Sequence, residues 1–114
     1  MNRKIKNIFS DGNVVNPESE FFDVICEGKN TDFLLERIIS IGNITPEGKW
    51  YEQNNDEWVV VMKGEGVIEF FDGEIIKLSE GDSIMIKAGD KHKVIYTSII
   101  PVCIWLALHF KNNA

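Results

Sequence analysis

Val67-Ile68-Glu69-Phe70-Phe71-Asp72-Gly73-Glu74-Ile75-Ile76-Lys77-Leu78 is the stretch on which the fold turns. Two short apolar runs meet across Asp72-Gly73, a pair that readily takes the positive φ angles of a tight hairpin turn. Ile68 and Phe70 on one side, and Ile76 and Leu78 on the other, share one parity, while Glu69 and Lys77 interrupt the other. A period of two puts the apolar set on one sheet face and the charges on the opposite face. The segment predicts two antiparallel strands with one face buried.

The same pattern spreads in both directions. Upstream, residues 57–62 form an apolar run closed by Lys63-Gly64-Glu65-Gly66. Downstream, Ser79-Glu80-Gly81-Asp82 makes a turn before a strand over 83–87, and Ala88-Gly89-Asp90-Lys91 a loop before a strand over 92–97. After a break at 98–101 a final strand runs over 102–110. Nearer the N-terminus, residues 21–26 and 33–41 are two further candidates. Residues 33–39 can also be read as one or two helical turns, but the β-branched residues at the end of the run and the nearby Gly42 favour strand. Roughly seven to nine short strands with turns about every 8 to 12 residues predict an all-β sandwich or barrel. The last run, Ile104-Trp105-Leu106-Ala107-Leu108-His109-Phe110, is apolar on both parities. It therefore lies either at the centre of a sheet between two layers or under a partner subunit.

The whole chain of 114 residues is expected to form one domain, with residues 1–20 as an N-terminal arm and 21–110 as the barrel strands. A formal net charge of −6, with only short and interrupted basic stretches, argues against a nucleic-acid partner. No apolar run approaches the length of a membrane span, and residues 1–20 lack the pattern of a secretory signal, so the expected location is the cytoplasm. Cys26 and Cys103, far apart and beside apolar neighbours, read as small buried hydrophobes rather than a disulfide. No Gly-rich phosphate loop, nucleophile elbow or Cys–His pair can be assembled, which removes phosphoryl transfer and serine or cysteine hydrolysis.

Two stretches carry a family resemblance. Tyr51-Glu52-Gln53-Asn54-Asn55-Asp56-Glu57-Trp58-Val59-Val60-Val61-Met62-Lys63-Gly64-Glu65-Gly66, followed by Glu80-Gly81-Asp82-Ser83-Ile84-Met85-Ile86-Lys87-Ala88-Gly89-Asp90-Lys91-His92, resembles the two motifs of the cupin superfamily. Glu57 and Gly64 keep the Glu-to-Gly interval of the first motif. Gly81, Gly89 and His92 keep their places in the second, with Lys87 where a proline usually stands. The resemblance implies an antiparallel double-stranded β-helix, the jelly-roll barrel, with a pocket on its inner face.

In that family two histidines precede the glutamate, and the four side chains hold Fe, Mn, Ni or Zn. Here, if the strand runs unbroken, Gln53 and Tyr51 stand at the histidine positions; if a bulge intervenes, Glu52 and Trp50 do. The family ligand set is thus reduced to Glu57 and His92, and His109, the only other histidine, is the candidate to complete a divalent-metal site with them. Tyr51, Glu52, Gln53, Glu57 and His92 form the expected ligand pocket. Glu57 heads a strongly apolar strand, where a carboxylate must find a partner or face a polar cavity. Trp58 and Trp105 are assigned to the core or to a dimer interface.

Three functions follow as expectations. The first is a homodimeric cytoplasmic cupin that binds a small polar molecule in the barrel through a divalent metal, which in an enzyme acts as Lewis acid or oxygen-activating centre. The second is a metal-free ligand-binding or sensory module, favoured by the missing histidine pair. The third is a metal-independent acid–base enzyme using Glu57 and His92.

Overall fold

The computed structural model describes residues 3–10 and 18–111. Eight strands follow in chain order: β1 (Phe21–Glu27), β2 (Phe33–Ser40), β3 (Asp56–Lys63), β4 (Gly66–Phe70), β5 (Ile75–Leu78), β6 (Ser83–Ile86), β7 (His92–Thr97) and β8 (Cys103–Phe110). All pairings between these strands are antiparallel, in a five-stranded sheet ordered β1-β2-β8-β3-β6 and a three-stranded sheet ordered β5-β4-β7. Residues 33–39 are strand, so the helical alternative falls. Among the described residues no helix is long and apolar enough to cross a membrane.

The hairpin forms where the sequence places it. Gly73 N–H donates to the Phe70 carbonyl at 2.9 Å, and Glu74 N–H to Asp72 Oδ1 at 2.9 Å. The second strand begins at Ile75 because Glu74 is consumed in this turn.

The last strand is central. β8 lies between β2 and β3, with Ile39, Trp105 and Val61 among the buried residues of these three strands. Cys103, Trp105 and Ala107 join the interior cluster, and on the other face Ile104 is fully buried while Leu106 and Leu108 are half-buried. On that outer face Arg37 ties the N-terminal arm to the sheet. Its Nη1 donates to the carbonyls of Asn7 (3.3 Å), Ile8 (3.1 Å) and Ser10, and its Nη2 meets Asp23 Oδ2 at 3.2 Å.

The two sheets close on a core of Val59, Val61, Ile68, Phe70, Leu78 and Ile86 around Trp105. Gly66 is required there: a Cβ at this position would lie 2.2 Å from the Trp105 ring. Gly64 turns the chain between β3 and β4 at φ +76°, a left-handed conformation that favours glycine, against the Val102 carbonyl and the Ser98 hydroxyl. Trp58, in contrast, is only half-buried on the outer face of β3. Cys103 is buried, and burial pushes its thiol pKa up to about 12. Cys26 is exposed, against expectation, because it lies in the edge strand beside a bulge. Both thiols are free.

Candidate functional site

Register brings the polar side chains of distant segments into one cavity. Glu57 pairs with His109 across β3 and β8, and on β2 Glu36 and Ile38 share the face of Ala107 and Trp105. From the opposite sheet, His92 pairs with Phe70 at the start of β7. These positions enclose a cavity of ≈ 130 Å³ whose walls are apolar (Ile38, Val59, Ile68, Ile86, Val94) and whose polar groups are Glu20, Glu36, Tyr51, Gln53, Glu57, His92 and His109.

The segment before β3 resolves the histidine-position question in a third way. The chain is not strand over 52–55; it bends twice and enters β3 at Asp56. Tyr51 forms an isolated bridge with His92: its N–H donates to the His92 carbonyl at 2.7 Å, and its carbonyl accepts from the His92 N–H at 3.0 Å. Gln53 O holds Gly89 N–H at 2.8 Å, and Asp56 Oδ1 holds Ala88 N–H at 2.8 Å, so the loop preceding His92 is fastened to the segment preceding Glu57. Tyr51 and Gln53 therefore line the cavity. Glu52 does not: it is exposed and outside the lining, because it alternates with Tyr51 and Gln53, whose side chains turn to the cavity. Trp50 also lies outside the lining, packed edge-on to Phe71 under the Lys93 ammonium.

Glu57, 8% exposed, accepts a hydrogen bond from Gln53 Nε2 at 2.9 Å. That bond orients the amide, since the reverse orientation would set its oxygen against a carboxylate. Gln53 Oε1 then accepts from His109 Nδ1 at 3.0 Å, while His109 Nε2 lies 2.9 Å from Glu36 Oε1. Both ring nitrogens of His109 thus face acceptors. The imidazolium is favoured, and its pKa is raised, first by the Glu36 hydrogen bond and further by the charges of Glu57 and Glu36, against an opposing effect of burial.

His92 is held differently. Its Nδ1 contacts the Asp90 carbonyl at 2.9 Å, which makes Nδ1 the protonated nitrogen of the neutral ring and leaves Nε2 a lone pair. Nε2 faces Glu57 Oε1 at 3.9 Å, beyond hydrogen-bond reach, in a side chain only 7% exposed. The Tyr51 ring covers it at 5.9 Å between centroids.

Sequence reasoning missed Glu36 and Glu20. Glu36 is a lone carboxylate in an apolar strand, so the desolvation argument applied to Glu57 identifies it equally well. Glu20 precedes β1 and accepts from the Ser40 hydroxyl, which in turn receives Trp105 Nε1–H at 3.3 Å. Burial raises the Glu20 pKa, opposed by the Ser40 hydrogen bond and reinforced by Glu36. Burial also raises the Tyr51 phenol, with the charges of Glu20 and Glu57 adding to it.

Glu57, His92 and His109 do converge, but they do not fit a metal ion in this arrangement. His109 directs one nitrogen to Gln53 and the other to Glu36, and as an imidazolium it has no lone pair to offer. Among the described residues, no group of three His, Cys, Asp or Glu side chains is disposed to hold a metal.

An antiparallel barrel of two sheets with a largely apolar cavity between them is a jelly-roll fold. The chain belongs to the cupin family: the cupin domain profile matches residues 41–108. A candidate mannose-6-phosphate isomerase from Ralstonia eutropha JMP134 is 34% identical over 96% of this chain and 100% of its own, with a TM-score of 0.87. A cupin superfamily protein from Desulfitobacterium hafniense DCB-2 (16% identity, 86% of this chain and 83% of its own, TM-score 0.71) shares the fold. So does an RmlC-like cupin from Desulfovibrio desulfuricans (16%, 96% and 97%, TM-score 0.69). No functionally curated protein matches the sequence.

Proposed function

We propose that the protein binds a small polar molecule in the barrel cavity by direct hydrogen bonding to Gln53, Glu57 and His92, without a resident metal. The observation that carries this reading is the chain of hydrogen bonds Glu36–His109–Gln53–Glu57. It commits both ring nitrogens of His109 and fixes the Glu57 carboxylate through Gln53, with His92 Nε2 facing Glu57 Oε1 at 3.9 Å. Apolar walls around a few convergent polar groups are the usual make-up of a ligand pocket.

A phosphorylated sugar, the substrate class in the name of the Ralstonia relative, suits this cavity poorly. Its lining contains three carboxylates and, among the described residues, no Lys or Arg. A phosphate dianion placed there would meet three carboxylates, with the imidazolium of His109 already hydrogen-bonded to one of them.

The test is a thermal-shift screen of small polar compounds on the native chain, Glu57→Ala and His92→Ala, with elemental analysis of each. Saturable stabilisation of the native chain alone, with no stoichiometric metal, is the expected result. Near-stoichiometric metal in the native chain, lost in both variants, would overturn the metal-free reading.

We further propose a homodimer. The edge strand β1 leaves Phe22 and Val24 exposed on the face that also borders the cavity, which a second copy would cover. Light scattering on the eluted protein reads the mass directly.

A further inference from the structure

We infer that the ligand's recognised group is a protonated primary amine, seated between His92 Nε2 and Glu57 Oε1. This rests on the cavity being a ligand site, as proposed above, and goes on to name the chemistry of its occupant.

Three observations converge. First, His92 Nε2 is an acceptor without a protein donor: Nδ1–H is committed to the Asp90 carbonyl, the side chain is more than nine-tenths buried, and Glu57 Oε1, 3.9 Å away, is another acceptor. The lone pair opens on the cavity rather than on the packed core, so a donor for it has to come from the cavity's occupant. Second, Glu57 Oε1 receives one hydrogen bond, from Gln53, and a carboxylate oxygen can accept more. Two acceptors 3.9 Å apart are bridged by one centre carrying at least two hydrogens, at about 2.8 Å from each. A hydroxyl has one hydrogen and satisfies only one of them. Third, the cavity holds Glu20, Glu36 and Glu57 against the imidazolium of His109, with no Lys or Arg in the lining, so its field favours a cation.

An ammonium meets all three conditions. It donates one hydrogen to His92 Nε2 and a second to Glu57 Oε1, and its charge offsets the carboxylate excess. The alkyl part then lies along Ile68 and Val94, and the cavity volume of ≈ 130 Å³ restricts it to a short chain. No bond is made or broken.

The experiment is a titration of the full chain with n-butylamine and, in parallel, with 1-butanol, which has the same skeleton and no charge. Long-range ¹⁵N–¹H spectra of the two imidazoles report occupancy at neutral pH, with and without a chelator. The expected result is a saturable shift of His92 Nε2 with butylamine, at least about tenfold tighter than with butanol, weakened about tenfold in Glu57→Gln and indifferent to chelation. Equal affinity for the two compounds overturns the inference. So does amine binding that leaves the His92 signal unmoved, or binding that appears only with added divalent metal. If Glu57→Gln does not fold, the contrast between amine and alcohol in the native chain decides alone. Should mannose 6-phosphate or a neutral polyol shift His92 while butylamine does not, the cavity remains a ligand site and only the amine assignment fails.

Discussion

His109 Nε2 lies 2.9 Å from Glu36 Oε1, joining the last strand to the second across the floor of the cavity. Register alone would pair Glu36 with Ala107 and His109 with Leu34, so the contact is diagonal, reached because both side chains share the inner face. Replacing Glu36 by Gln removes the largest cause of the raised His109 pKa, and the imidazole then titrates at lower pH than in the native chain. Its C–H proton resonances followed against pH give the answer; an unmoved titration would show that Glu36 does not hold the imidazolium.

The same pair makes stability depend on pH with a definite sign. A histidine whose folded pKa is raised above its ordinary value of 6.5 contributes stability that is fully present below 6.5. The contribution is lost as pH rises through the folded pKa. The urea midpoint of the native chain should therefore exceed that of His109→Gln most on the acid side, with Glu36 still ionised, and the difference should shrink as the medium becomes alkaline. A difference that grows with pH would contradict the assignment.

Gly66→Ala drives a methyl group into the Trp105 indole, 2.2 Å from the ring atoms. The strand cannot yield without disturbing β5 and β7 on either side, so a loss of roughly 1–3 kcal/mol is expected. The urea midpoint should fall and the tryptophan fluorescence should shift; an unchanged midpoint would mean that the indole can move aside.

Truncation after Pro101 removes β8 and so divides β2 from β3. The shortened chain is expected to be insoluble or unfolded by circular dichroism. Had β8 been a surface strand covered only by a partner subunit, a folded monomer would remain, and finding one would refute its central place.

Arg37→Met keeps the apolar stem and removes the donors that hold residues 7–10 against the sheet. Loss of these charge-assisted hydrogen bonds and of the contact with Asp23 should cost on the order of 2 kcal/mol. Amide hydrogen exchange should accelerate in the arm and in β1 while the β4–β7 pairing stays protected. Uniform acceleration would indicate a role in the whole fold rather than in the arm.

Much of the architecture was legible along the chain because strands write themselves as local alternation and turns as local chemistry. Asp72-Gly73, the parity of Ile68 and Phe70, and the spacing of Glu57, Gly64, Gly81, Gly89 and His92 all act over a few residues or preserve a recognisable motif. Glu57 also announced itself, since a carboxylate at the head of an apolar strand must have a partner. The partner's identity was not legible: Gln53 reaches it from a bent segment, where unbroken-strand parity points to Tyr51 and Gln53 although the segment is not strand, and the bulge alternative points to Trp50 and Glu52, which lie outside the cavity. Glu20 lacked any local signal, because its burial depends on Ser40 and Trp105, which stand far from it in sequence.

The sequence by itself determined the all-β class, the turns, the family and a pocket built on Glu57 and His92, because each depends on the order of neighbouring residues. Only the tertiary structure decided that β8 is central and that His109 turns toward Glu36 and Gln53. It alone also decided that His92 Nε2 faces the Glu57 carboxylate at 3.9 Å, beyond hydrogen-bond reach. Those facts depend on strand order and on the diagonal meeting of side chains from segments dozens of residues apart, and no local pattern encodes either.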